Sequence, residues 1–321
     1  MIYKLFPDSV NEKIALLGIV ILSFFGVIAL LKLFKNKLPA DQGREFAFNG
    51  KLSAGKKRGA GIIFVSAFVV ASLLFVRLTP ENIVYYILIF ASMLSGYLDD
   101  KAKIPWGEYK KGLIDLAITA LTALTFANFN DGLLKLDFCF IEFDLPKFVF
   151  VPVAAVFLWL MINATNCSDG IDGLCGTLSI NSMVAIAVVG LISGMDNEHI
   201  KLIASMIFAV IAYLWFNAEP SSMLMGDAGS RAIGLFIGLS VMKTGNMLLA
   251  IPLCFIILLD GLIGIVKISL IRFLKINALK KIRTPLHDHF RKNKSWSNTQ
   301  VIFRFQIIQI LISLATVILM K

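Results

Sequence analysis

Long runs of apolar residues recur along the chain, and short polar loops separate them. A helix of about 20 residues crosses the hydrocarbon core of a bilayer, so runs of this length predict membrane-spanning helices. The pattern therefore predicts an all-α integral membrane protein with ten transmembrane helices. The predicted spans are 14–34, 60–76, 82–98, 113–129, 148–163, 177–193, 199–216, 231–246, 248–271 and 301–320.

The spans follow one another without a linker, a low-complexity tract or an internal repeat, which predicts a single polytopic domain over 1–321. The first span is too long for a cleaved signal peptide and a basic segment follows it, so we expect a retained anchor. Between the fourth and fifth spans, segment 128–147 alternates apolar and acidic residues. This alternation indicates a small β-hairpin.

Composition agrees with a membrane protein, because 58% of the 321 residues are hydrophobic and the mean hydropathy is +0.81. Most of the 31 Lys and Arg residues lie in the loops after the first, third and ninth spans. The positive-inside rule places these loops in the cytoplasm and both termini outside. Anionic lipid headgroups beside basic loops account for the net charge of +10, so we expect no nucleic-acid partner.

Polar residues that a bilayer should reject gather in four of the loops predicted to be cytoplasmic. A charge at the bilayer centre costs at least about 2.5–3.5 kcal/mol, so such residues point to function. One Asp pair at a helix end is commonly a solvated terminus, but four such loops on one face predict a shared site. The residues are Asp99 and Asp100; Asn163, Asn166, Asp169 and Asp172; Asn217 and Asp227; and His287 and His289.

The chemistry of this predicted site favours phosphate and magnesium. Glycines such as Gly170 and Gly226 permit tight turns whose amides bind phosphate oxygens. Carboxylates repel a diphosphate unless a hard cation such as Mg²⁺ lies between them. The nearby Lys101, Lys103, Lys110 and Lys111 are either phosphate ligands or ordinary basic loop residues. No P-loop pattern is present, and His287 and His289 lack the further Cys or His ligands of a zinc site.

Four motifs, in this order, resemble those of the polyprenyl-phosphate N-acetylhexosamine-1-phosphate transferase superfamily. They are the GYLDDKAK segment with Asp99, Asp100 and Lys103, the NATNCSDGIDGL segment, the NAEPSSMLMGDAGS segment, and the histidine loop PLHDHF at 285–290. The last motif is similar to that of the phospho-N-acetylmuramoyl-pentapeptide transferase branch. The resemblance runs from about Leu38 to the C-terminus, and the ten spans agree with it.

The chain departs from the pattern of that branch at several positions. Asp288 stands where the family usually has His, Leu224 where it often has Phe, and Lys267 roughly where it has Gln. Segment 55–61 replaces a longer Gly-Thr-Pro-Thr type segment, so no role is carried over to it. These departures concern the nucleotide pocket and leave the carboxylates intact.

The resemblance implies an enzyme of the bacterial cytoplasmic membrane that starts peptidoglycan assembly. Undecaprenyl phosphate would attack UDP-N-acetylmuramoyl-pentapeptide, giving lipid I and UMP, with Mg²⁺ as cofactor. We assign Asp99, Asp100, Asp227 and His287 as catalytic, with Asp227 as the Mg²⁺ ligand and Asp99 or Asp100 orienting or deprotonating the lipid phosphate. The expected substrate-binding residues are Lys103, Lys110, Asn166, Asp169, Gly170, Ile171, Asp172, Asn217, Leu224 and His289.

Two other functions fit parts of the sequence. A sister enzyme would transfer N-acetylglucosamine-1-phosphate from UDP-N-acetylglucosamine, although its histidines are spaced differently. A transporter would also have ten spans and buried polar residues. The acidic residues lie at helix ends on one face and no inverted repeat is visible, which disfavours a transporter. The family resemblance further implies a homodimer.

Overall fold

The computed structural model describes residues 8–43, 53–102, 104–138, 141–276 and 279–320, and most of these are helical. A π-helical turn spans Leu22–Gly26, and short 3-10 turns occur elsewhere. The helices are α1 (Asp8–Ile21), α2 (Val27–Phe34), α3 (Gly61–Phe75), α4 (Pro80–Lys101), α5 (Glu108–Phe129), α6 (Lys147–Ser168), α7 (Leu174–Ile192), α8 (Asn197–Asn217), α9 (Gly226–Met242), α10 (Ala250–Leu253), α11 (Phe255–Phe273), α12 (Leu286–Asn293) and α13 (Asn298–Leu319).

The helices confirm the prediction of an all-α membrane protein. Seven helices are long and apolar enough to cross a bilayer, or up to eight if a bent pair forms one span, among the described residues. Each of the ten predicted spans overlaps a helix. However, α3 has 15 residues and α9 has 17, both shorter than the usual span of about 20. The count of ten spans and the side on which the termini lie stay predictions.

Helix α9 lies at the centre of the bundle, and all of its residues are buried. It packs closely on α3, α4 and α6. At Gly96 of α4 and Gly61 of α3, an added Cβ would collide with the backbone of α9 near Asp227 and Gly229. Small residues let helix backbones approach closely within a membrane. The start of α9, which carries Asp227, is therefore tightly enclosed.

The chain bends by 99° between the segment ending at Leu253 and α11. Gln309 of α13 pairs the backbone groups that the bend exposes. Its Nε2 donates to the carbonyls of Pro252 and Leu253, both at 3.0 Å, and its Oε1 accepts from the N–H of Ile256 at 2.9 Å. Unpaired backbone groups are costly in an apolar environment, so Gln309 stabilises the bend.

At the end of the bundle away from Asp99, polar contacts join α4, α5 and α9. Lys243, which follows α9, lies 2.8 Å from Glu81 Oε1 and donates to Asn130 Oδ1, also at 2.8 Å. Helix α4 has 22 residues and rises about 1.5 Å per residue. Glu81 is near its start and Asp99 near its end, so the two lie at opposite ends of the helix. This ion pair is distant from the candidate site.

The predicted hairpin is confirmed. Strands β1 (Lys135–Phe138) and β2 (Ile141–Asp144) pair antiparallel, with Lys135 opposite Asp144 and Phe138 opposite Ile141. They connect α5 to α6 and form the one sheet of the described residues.

Candidate active site

Asp100, in the last turn of α4, fixes the start of α9. Its Oδ1 accepts the N–H of Asp227 and its Oδ2 accepts the N–H of Ala228, both at 3.1 Å. A carboxylate is stabilised at a helix N-terminus by the unpaired amides and the helix dipole. Gly226 has φ +68°, and a Cβ there would collide with the Asp100 carboxylate. Glycine is therefore required at the turn that orients Asp227.

Arg58 joins three carboxylates that come from separate parts of the chain. Its Nε lies 2.7 Å from Asp100 Oδ1, its Nη2 3.0 Å from Asp227 Oδ1, and its Nη1 3.2 Å from Asp41 Oδ1. Burial acts to lower the pKa of Arg58, but these carboxylates, with Asp169, raise that pKa above its usual value. Arg58 is therefore always charged.

Lys111, in the first turn of α5, links Asp99 to Asp227. It forms an ion pair with Asp99 Oδ2, and its Nζ lies 3.5 Å from Asp227 Oδ2. Asp99 Oδ1 accepts the backbone N–H of Trp106 at 2.8 Å. The side chain of Lys111 is 28% exposed, so it can reach an incoming phosphate. The structure thus brings Asp99, Asp100 and Asp227 together, as the sequence predicted.

A buried ion pair lies beneath these residues. Arg231 of α9 has Nη1 3.2 Å from Asp115 Oδ1 on α5, and its Nη2 is 3.6 Å from Asp227 Oδ2. Sequence reasoning did not single out Arg231 or Asp115. Each lies within a predicted span, and an ionisable residue at such a position is the signal that could have found it.

The loop between α6 and α7 forms a second polar region. Asp172 Oδ2 lies 2.8 Å from Lys56 Nζ and accepts the N–H of Ser221 at 3.0 Å. Asn217 Oδ1 accepts the N–H of Gly173 at 2.8 Å, and its Nδ2 donates to the Met223 carbonyl at 2.9 Å. These contacts hold the 169–173 loop against the 218–225 loop.

Several predicted substrate contacts have protein partners in the structure. Asn166 Nδ2 donates to Ser230 Oγ at 2.9 Å, and Ile171 is buried. The backbone of Leu224 pairs with segment 53–60, because its N–H donates to the Lys57 carbonyl and its carbonyl accepts from Ala60. Asp169, at the end of α6, acts electrostatically on Arg58.

The basic segment around Lys56 and Arg58 thus touches both polar regions. No role was predicted for segment 55–61, so these two residues were missed. Their signal was a cluster of basic residues between glycines, which resembles any basic cytoplasmic loop.

His287, at the start of α12, is held by Asp260 of α11. The backbone N–H of His287 donates to Asp260 Oδ1 at 2.8 Å, and its Nδ1 lies 2.8 Å from Asp260 Oδ2. Both residues are buried. A Cβ at Gly170 would collide with the His287 ring at Nε2, so the histidine loop packs on the 169–173 loop. Asp260 lies within the ninth predicted span and was not singled out.

The other predicted residues lie around this arrangement. His289 Nδ1 accepts the N–H of Arg283 at 3.2 Å, so its ring closes the loop before α12. Asp288 is buried, and its Oδ1 lies 3.7 Å from His287 Nε2 and 3.2 Å from Arg291 Nη1. Lys110 Nζ lies 3.6 Å from the centre of the Trp106 ring, beside the Asp99 loop. Lys103 lies outside the described residues.

Comparison with known proteins identifies the family. Residues 82–245 match the model of glycosyl transferase family 4. The chain is 39% identical to a phospho-N-acetylmuramoyl-pentapeptide-transferase of Treponema pallidum (strain Nichols), over 93% of this chain and 88% of the relative. It is 31% identical to a protein of the same name from a Wolbachia of Drosophila simulans, over 80% and 82%. A third, from Campylobacter curvus, is 28% identical over 81% and 80%. By the family model and these relatives together, the chain belongs to glycosyl transferase family 4, in the branch of the phospho-N-acetylmuramoyl-pentapeptide transferases.

Proposed function

We propose that this protein transfers phospho-N-acetylmuramoyl-pentapeptide from UDP-N-acetylmuramoyl-pentapeptide to undecaprenyl phosphate in the bacterial cytoplasmic membrane. The products are lipid I and UMP. The names of the relatives support this reaction class. The observation that carries the proposal is the joining of Asp99, Asp100 and Asp227 by Arg58 and Lys111 at one end of apolar helices.

In this reaction, an oxygen of the lipid phosphate attacks the phosphorus that bears the sugar. The bond from that phosphorus to the oxygen of UMP breaks, and UMP leaves with the electron pair. Two polyanions must approach in line, so catalysis depends on neutralising charge and positioning the reactants. Arg58 and Lys111 are 23% and 28% exposed. They are placed to move from the carboxylates towards the phosphates when substrate binds.

A magnesium ion is proposed to bind beside Asp227. The carboxylates of Asp99 and Asp227 converge on a single cationic atom, Lys111 Nζ, so the position already favours positive charge. Among the described residues, no three His, Cys, Asp or Glu side chains form a metal cluster. Mg²⁺ needs only one or two carboxylates when phosphate oxygens and waters complete its shell. Asp227 would hold the ion, which neutralises diphosphate charge when bound.

Asp99 is proposed to orient the lipid phosphate. A phosphate monoester has a second pKa near 6, so it is mostly dianionic at neutral pH and needs little proton removal. Asp99 lies at the end of α4, where a headgroup arriving from the bilayer meets Lys111. Its role is therefore positioning through Lys111 more than general base catalysis.

The loops at 169–173 and 218–225 are proposed to form the nucleoside pocket. Asp172 and Asn217 hold these loops together through their protein contacts, and Asn166 joins α6 to α9 beside them through Ser230. His287 closes the pocket from the ninth loop, because its ring lies against Gly170. If Nδ1–H donates to Asp260, Nε2 is the acceptor atom of the ring, and it lies between Gly170 and Asp288 Oδ1, which is 3.7 Å away.

UMP release tests the proposal. Purified full-length protein is incubated with undecaprenyl phosphate and either UDP-N-acetylmuramoyl-pentapeptide or UDP-N-acetylglucosamine, with and without Mg²⁺. We expect magnesium-dependent UMP release with the first nucleotide sugar only. Release with UDP-N-acetylglucosamine alone would instead assign the sister reaction, and release without divalent cations would remove the magnesium assignment. The homodimer is part of the same proposal, and the mass of the detergent-solubilised protein tests it.

A further inference from the structure

The ion pair of Asp115 with Arg231 has no part in the proposed reaction, although it touches the proposed metal ligand. The two side chains are 3% and 4% exposed. Charged groups within apolar helices are costly and are usually retained for function. Arg231 faces two acceptors, and it lies nearer to Asp115 Oδ1, at 3.2 Å, than to Asp227 Oδ2, at 3.6 Å.

Arg231 differs from the other two cations that contact Asp227. Arg58 and Lys111 lie on the solvent side and are partly exposed, so they can turn towards phosphates. Arg231 lies on the interior side, one helical turn after Asp227 on α9. Residues four apart on a helix are neighbours, so a guanidinium at this position naturally pairs with the earlier carboxylate. The side chain of Arg231 is only 4% exposed, so it does not face the solvent from which phosphates arrive.

A full ion pair between Arg231 and Asp227 would hinder metal binding. Charge-assisted N–H···O contacts close to about 2.7–2.9 Å and occupy the lone pairs of the carboxylate. The distances from Asp227 Oδ2 to Arg231 Nη2 and to Lys111 Nζ are 3.6 Å and 3.5 Å, and both are longer than this. Neither cation therefore forms a close ion pair with this oxygen, and Arg231 lies nearer to Asp115 than to Asp227.

We propose that Asp115 is a positioning residue that holds Arg231 back from Asp227. Arg231 then orients the Asp227 carboxylate without occupying the oxygen that a divalent cation takes. This inference rests on the proposed function, because it assumes that Asp227 binds Mg²⁺. It assigns a positioning role to two buried residues of this chain.

Asp115→Asn tests the inference. The variant keeps the size of the side chain but loses the charge that attracts Arg231, so the guanidinium moves onto Asp227. Binding of Mn²⁺ to the full-length protein is followed by electron paramagnetic resonance, with nucleotide sugar present and lipid phosphate absent. We expect the midpoint for Mn²⁺ to rise about 10-fold or more, as when partners of metal ligands are changed. The magnesium midpoint of UMP release should rise in parallel, and high Mg²⁺ should restore most of the turnover.

A double variant separates this effect from general damage. Asp115→Asn with Arg231→Gln leaves no guanidinium to compete, so the Mn²⁺ midpoint should return to within about threefold of the unchanged protein. Glu81→Gln is the matched control, because it breaks a comparable ion pair with Lys243 at the far end of α9. It should lower the melting temperature and leave the metal midpoint unchanged.

The outcomes distinguish the two levels of the proposal. If the unchanged protein releases UMP without any divalent cation, the magnesium assignment fails and the inference fails with it. If turnover needs Mg²⁺ but Asp115→Asn leaves the Mn²⁺ midpoint unchanged, only the inference is contradicted. An equal rise in the single and double variants also contradicts it, because competition by Arg231 could not then be the cause.

Discussion

The Asp100 carboxylate accepts the backbone N–H of Asp227, so an acidic residue of one family motif positions an acidic residue of another. This contact, at 3.1 Å, joins the end of α4 to the start of α9. Asp99, the neighbour of Asp100, instead faces Lys111 and the Trp106 amide. The adjacent aspartates therefore have different roles, one in building the site and one at its open side.

Asp99→Asn should lower turnover much more than it weakens nucleotide binding. An amide keeps an oxygen to accept the Trp106 N–H, so the fold is retained, but the charge that holds Lys111 is lost. We expect kcat to fall at least about 100-fold, in the range seen when charged catalytic groups are removed. Steady-state kinetics of UMP release and the affinity for UMP measure the two effects.

Asp131→Asn, which breaks an exposed ion pair with Lys147, is the control. Equal losses in turnover and UMP affinity would show that Asp99 does not position the lipid phosphate.

Asp100→Asn should lower stability as well as turnover. The carboxylate accepts two backbone N–H groups and faces Arg58, whereas an amide offers one oxygen and turns an NH₂ group towards a donor. A buried donor left without a partner costs about 1–3 kcal/mol. The melting temperature of the detergent-solubilised protein, compared with that of Asp99→Asn, measures this difference. If the two variants melt at the same temperature, the hydrogen bonds of Asp100 to the start of α9 do not contribute to stability.

The sequence predicted the helices and the shared site because each depends on a local pattern. Apolar runs predict spans from the local sequence alone, and the motifs identify Asp99, Asp100 and Asp227 directly. Which cations contact these carboxylates depends on tertiary packing. Arg58 comes from a segment whose composition resembles any basic loop, and its partners Asp100 and Asp227 are far from it in sequence.

The substrate-binding role of Asn217 stays a prediction. Its amide pairs with the Gly173 N–H and the Met223 carbonyl, which holds two loops together. Sequence spacing cannot separate a residue that binds a ligand from one that holds the loop that binds it. The bend before α11 was also missed, because an unbroken apolar run hides it.

Gly170→Ala should disrupt the nucleotide pocket. An added Cβ would collide with the His287 ring, which Asp260 holds in place, so the 169–173 loop must move away from the histidine loop. We expect the affinity for UMP to fall by at least about tenfold, which corresponds to about 1.4 kcal/mol. Isothermal titration with UMP measures the change. Gly132→Ala is the control, because no atom lies near the added methyl group there. Unchanged UMP affinity in Gly170→Ala would separate His287 from the nucleotide pocket.

Asp260→Ala should affect the same pocket through His287. The backbone N–H and the imidazole of His287 would both lose their acceptor, at a cost of about 1–3 kcal/mol for each buried group left unpaired. We expect a lower melting temperature together with weaker UMP binding. His289→Gln, which changes the neighbouring histidine outside this contact, should alter UMP affinity less. A larger loss in His289→Gln than in Asp260→Ala would reverse the assignment of the two histidines.

Gln309→Leu should destabilise the bend between α10 and α11 without touching the carboxylates. The substitution leaves the carbonyls of Pro252 and Leu253 and the N–H of Ile256 without their side-chain partner, in surroundings that offer little water.

Ser313→Ala is the matched comparison, because it removes only the side-chain contact to Gln309. A side-chain hydrogen bond within a membrane protein contributes about 0.6 kcal/mol on average, so the serine variant should melt close to the unchanged protein. The glutamine variant should melt several degrees lower, and its affinity for UMP should be retained because the nucleotide loops lie elsewhere. If both variants melt alike, Gln309 does not hold the bend, and the packing of α11 against α6 would be what fixes its direction.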